Sequence, residues 1–98
     1  MLYAVLFVDN PELGKEARAK HMPAHLAFLE KNAEKITAAG PLLTSTGDAD
    51  GGLWLVVAKS HDDVEALVKE DPFWPTGLRQ SFRILTWRQV FADGRRLI

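Results

Sequence analysis

Two apolar runs, Leu2–Val8 (LYAVLFV) and Leu53–Ala58 (LWLVVA), constrain this chain more than any other feature. Both are rich in β-formers and bounded by turn chemistry, Asp9-Asn10-Pro11 after the first and Ser45–Gly52 (STGDADGG) before the second. They read as buried strands. Neither alternates between apolar and polar residues, so each strand is apolar toward both faces of its sheet. A third strand is expected over Ser81–Trp87 (SFRILTW), and a short one over Pro41–Thr44. The chain has 98 residues, too few for two ordinary domains, and 1–98 is expected to form one. Nothing is left over to cover the second sheet face.

Between the strands the period changes to that of a helix. Glu12–Lys20 is weakly amphipathic, and Pro23 either opens a new helix or kinks one longer helix. From Pro23 to about Ala38, His25, Leu26, Phe28, Leu29, Ala33 and Ile36 share one arc opposite Glu30, Lys31, Glu34 and Lys35. Gly40-Pro41 is expected to end that helix. Ser60 with Asp63 has the form of a capping box opening a second helix, with Val64, Leu67 and Val68 inward and Asp71-Pro72 at its end. Phe73–Gln80 is irregular, with room for one short helical turn. Val90-Phe91 precedes an exposed turn at Ala92-Asp93-Gly94 and a basic tail, Arg95-Arg96.

The resulting order is β-α-β-β-α-β, an α+β ferredoxin-like sandwich with both helices on one sheet face. The economical cover for the other face is a second copy packed sheet to sheet, giving a homodimer.

Composition removes several function classes. There is no Cys, hence no disulfide framework, thiolate metal site or Cys nucleophile. Twelve basic residues against thirteen acidic ones, without a basic block, argue against nonspecific nucleic-acid binding. The apolar runs are too short to span a bilayer, and Met1-Leu2-Tyr3 enters the first strand without a charged leader. A soluble cytoplasmic protein is the default expectation. Gly47, Gly51 and Gly52 form neither a dinucleotide fingerprint nor a P-loop, and no serine sits in a nucleophile-elbow setting. No nicotinamide, flavin or metal motif is present, so no cofactor is expected.

Of the three histidines, His25 is the most informative, because helical phase points it at the sheet. A buried imidazole requires hydrogen-bond partners. It is either a core histidine satisfied by a carbonyl or water, or a general acid/base titrating near neutrality. Asp71 lies seven residues after Val64, on the same inward stripe. It serves either as a cap for the turn that follows, with Pro72 in first position, or as a carboxylate that orients an imidazole. Spacing alone does not pair the two. His21 and His25 have the separation of two helix-borne metal ligands, but Pro23 disturbs that face and no HExxH glutamate follows, so no metal site is expected. His61 reads as solvated. Arg83 and Arg88 are either edge charges or contacts for an anionic substrate.

Taken in order, Met1-Leu2-Tyr3, Pro23–Leu29 (PAHLAFL), Ala39-Gly40-Pro41, Asp71-Pro72-Phe73 with Gly77, and the final strand reaching Trp87 and Val90-Phe91 resemble the YCII-related (YciI-like) family. The resemblance covers nearly the whole chain. It implies a ferredoxin-like fold dimerising into a two-sheet barrel, and a pocket centred on a His and an Asp, which fall here on His25 and Asp71. One branch of similar proteins is a cofactor-free lyase that eliminates halide from a chlorinated hydroxyquinol. Members often carry Arg three residues before the histidine, where Met22 stands here; Arg18 and His21 are the candidates to replace it.

The leading expectation is a cofactor-independent acid/base enzyme of lyase or isomerase type, acting on a small molecule, with aromatic compounds among the candidates, and with His25 as acid/base and Asp71 orienting it. The alternative is a non-catalytic module in which the same pocket binds a small metabolite. A monooxygenase on the same barrel has no motif behind it. His25 and Asp71 are expected to meet in one pocket where the two helices join the sheet.

Overall fold

The computed structural model describes residues 1–98. Four strands, β1 (Leu2–Asp9), β2 (Ile36–Leu43), β3 (Ala49–Val57) and β4 (Arg79–Thr86), form one antiparallel sheet in the order β2-β3-β1-β4. The helices α1 (Gly14–Lys31) and α2 (His61–Glu70) share one face of it. This is the ferredoxin-like arrangement expected from the element order. A single 3-10 turn at Trp74–Thr76 links α2 to β4, and a two-residue hairpin, β5 (Phe91–Ala92) with β6 (Arg95–Arg96), follows the sheet. No helix is long and apolar enough to cross a membrane.

The strand pleat divides the apolar runs in two. Tyr3, Val5 and Phe7 of β1 and Trp54 and Val56 of β3 are buried beneath the helices with Val64, Leu67 and Val68 of α2. The intervening Leu2, Ala4, Leu6, Leu53 and Leu55 point the other way and are only partly buried. Ser60 caps α2 as expected, its hydroxyl accepting from the Asp63 amide at 3.2 Å.

Three expectations need correction. The first helix is one continuous element through Pro23, and it stops at Lys31 rather than near Ala38. Asn32 ends it: the Asn32 side-chain amide donates to the Phe28 carbonyl at 2.9 Å, and a tight turn carries the chain into β2. Second, the strand expected over Pro41–Thr44 is the eight-residue β2. Ile36 belongs to both patterns, completing a helical arc and opening a β-branched run, and the sheet wins because Ile36 pairs with Val56 and is buried there. Gly40-Pro41 therefore lies within an edge strand, a position where proline's missing donor costs no ladder bond. Third, Leu26 does not join the inward arc; it is about half exposed, while Phe28 and Leu29 pack against the core.

Candidate functional site

His25 and Asp71 come together although 46 residues separate them. His25 Nδ1 lies 2.8 Å from Asp71 Oδ1, and both residues are buried. The pairing follows from the fold: α1 aims His25 down at the sheet, and the break of α2 at Asp71-Pro72 turns the carboxylate under it. Asp71 Oδ1 also accepts the Phe73 amide at 3.0 Å, and the Asp71 carbonyl accepts from the Trp74 amide at 2.8 Å, so the one residue meets both the imidazole and the chain that leaves α2. A carboxylate that accepts from Nδ1–H fixes the tautomer and leaves Nε2 as the free nitrogen. Nε2 bonds to nothing in the chain and is not sealed from solvent. The imidazole stacks on Phe73, with centroids 4.1 Å apart and planes 16° from parallel, which fixes its orientation.

A third charged group completes the arrangement, one that sequence reasoning missed. Arg79 Nη1 lies 3.0 Å from Asp71 Oδ2, with Arg79 almost wholly buried. Both atoms are sealed from solvent and neither has another partner in the chain, so their opposite charges compensate each other. The guanidinium also sits over the Phe7 ring, 3.7 Å from its centroid. Burial, opposed mainly by Asp71, pushes the Arg79 pKa down to about 10, well below the usual guanidinium range; it remains a cation at neutral pH. Strand alternation conceals Arg79. The helix-facing residues of β4 are Phe82 and Ile84, and strict alternation would continue to Gln80. Instead the register shifts between Val8 and Asp9, so that Asp9 pairs with Arg79 and turns it toward the helices. A bulge that re-aims a side chain beside a site is a recurrent device, but it leaves no mark in the alternation pattern.

Arg18, one of the two candidates to replace the arginine absent at Met22, reaches the same region. Its Nε and Nη2 bond Asp9 at 2.9–3.2 Å, and Nη2 also bonds the Gly51 carbonyl at 3.1 Å. His21, the other candidate, lies instead at a shallow hollow with Glu16 and Lys20. Arg83, Arg88 and His61 are all exposed and do not line this hollow. His25, Arg79, Arg18, Met22, Trp54 and Pro41 line a hollow of about 110 Å³ under the start of β3. A larger hollow of about 650 Å³ lies at the other end of the strands, beside Met1 and Val57, without a charged pair buried in it.

Comparison with known proteins decides the family. The model of the YCII-related domain matches residues 1–88. The chain belongs to the YCII-related family. Among solved structures, it is similar to 5-chloro-2-hydroxyhydroquinone dehydrochlorinase (TftG) from Burkholderia phenoliruptrix AC1100 in complex with 2,5-dihydroxybenzoquinone. The two are 33% identical with a TM-score of 0.80, over 90% of this chain and 94% of that one. An uncharacterized NIPSNAP domain protein from Burkholderia xenovorans shares the fold at 10% identity and a TM-score of 0.51, over 95% of this chain and 99% of that one. No curated protein matches this chain.

Proposed function

We propose that this YCII-related protein is a cofactor-independent acid/base lyase in which His25 Nε2 takes a proton from a small ring substrate and Asp71 positions the imidazole. The observation that carries the reading is the buried His25–Asp71 hydrogen bond, with Nε2 left unbonded and open to solvent beside a small hollow. A fixed tautomer with one free nitrogen is what proton transfer requires of a histidine. The similarity to the dehydrochlorinase supports elimination over isomerisation. Net loss of H⁺ and Cl⁻ from a chlorinated hydroxyhydroquinone leaves a hydroxybenzoquinone: two hydroxyl protons leave oxygen, one proton is delivered to the chlorine-bearing carbon, and chloride departs, so the step balances with a group that both takes and returns a proton. The direct test is chloride release from 5-chloro-2-hydroxyhydroquinone. Catalytic release by the wild-type chain is expected. Saturable binding without release would favour a non-catalytic metabolite-binding module.

We also propose that two copies pair through the open sheet face. Ala4, Leu53, Leu55, Leu85 and Trp87 there surround a shallow apolar hollow, and Leu85 and Trp87 are each about 40% exposed. A contiguous apolar surface of this kind is unusual on a monomer, and stable interfaces bury about 800 Å² per partner. Light scattering at micromolar concentration should give twice the chain mass, and Leu55→Glu should halve it. A wild-type monomer would contradict the pairing.

A further inference from the structure

Arg79 carries more donors than the chain uses. Nη1 is spent against Asp71, but Nε and Nη2 donate to no group in the protein, and neither is among the sealed polar atoms. The side chain as a whole is only 5% exposed, and Arg79 lines the hollow together with His25. The Phe7 ring packs against the guanidinium, 3.7 Å from its centre to Cζ, and so covers it on that side. Arg18, the other guanidinium of the hollow, has already committed Nε and Nη2 to Asp9 and Gly51. A buried cationic edge with unused donors is stabilised most by an anionic oxygen, since charge-assisted hydrogen bonds are about twice as strong as neutral ones. Mutual repulsion between Arg18 and Arg79 adds to that demand.

The space restricts the shape of the ligand. The hollow of about 110 Å³ is smaller than the roughly 150 Å³ cavity that takes up benzene, and Trp54 supplies a flat wall. That space limits a ligand to one small ring, part of which stays outside the hollow, with Ala39, Gly40 and Pro41 also lining it.

We infer that Arg79 is the anion-binding group of this site, and that its substrate class is a small planar ring bearing an ionised enol or phenol oxygen. The oxygen lies on the Nε/Nη2 edge while the adjacent ring atom faces His25 Nε2. The inference rests on the acid/base reading for the role of His25, but the anion preference stands on Arg79 alone.

Titration calorimetry with two probes tests it. 2,5-Dihydroxybenzoquinone is a vinylogous acid, ionised at neutral pH; hydroquinone has a similar ring and no charge. The wild-type chain should bind the anion at least about tenfold tighter. Arg79→Met should lose about tenfold or more for the anion while hydroquinone affinity changes by less than about threefold. Arg79→Lys keeps the charge without the planar edge and should lose about three- to tenfold, which decides the matter if the Met variant fails to fold. A wild-type chain that binds neither probe or shows no anion preference would overturn the assignment, as would a preference untouched by either variant. Failure of the acid/base reading looks different: chloride release is absent while the Arg79-dependent preference remains.

Discussion

Asp71→Ala is expected to destabilise the protein by about 3–5 kcal/mol, the range for removing one partner from a buried ion pair. Asp71 is 1% exposed, and three groups depend on it: the His25 imidazole, the Arg79 guanidinium and the Phe73 amide. Without the carboxylate, Arg79 remains a buried cation on an aromatic ring, with its largest opposing influence gone. The loss comes mainly from stranding that charge. The double variant Asp71→Ala/Arg79→Met should therefore be more stable than Asp71→Ala alone, a non-additivity expected of groups in direct contact. Urea denaturation of the three chains measures this. A loss below about 1 kcal/mol for Asp71→Ala would show that the pair is a surface-like contact despite its burial.

The largest kinetic effect should come from His25→Asn. Removing a general acid/base slows turnover by about 10²–10⁴-fold. Asn retains a polar side chain of similar reach that can hydrogen-bond Asp71, so the fold and the ligand site should persist. Chloride release from 5-chloro-2-hydroxyhydroquinone should fall by that factor, and the Kd for 2,5-dihydroxybenzoquinone should change by less than about threefold. A parallel loss of affinity and turnover would instead make His25 a ligand contact. Unchanged turnover would remove it from the reaction.

Much of this arrangement is legible in the residues, and the gaps have physical causes. Helical phase turned His25 inward, and the stripe from Val64 turned Asp71 inward, because both depend on local periodicity. Their meeting depends on how α1 and the end of α2 sit on the sheet, which no spacing encodes; only the family resemblance joined them. Ile36 misled because one β-branched residue satisfied two periods, and the edge strand prevailed through pairing with β3. Arg79 was hidden by a one-residue register shift that reversed its face. Both misses arise where long-range strand pairing overrides a local pattern.

The central claim is that Asp71 holds His25 as the tautomer whose Nε2 is bare and directed to the hollow. Nitrogen-15 NMR of the imidazole, with the chain labelled at its three histidines and His25 assigned through His25→Asn, reads this directly. At a pH where His25 is neutral, the proton should be on Nδ1, with Nε2 showing the shift of an unprotonated nitrogen, and Asp71→Asn should disturb that preference. A neutral His25 carrying its proton on Nε2 in the wild-type chain would contradict the account.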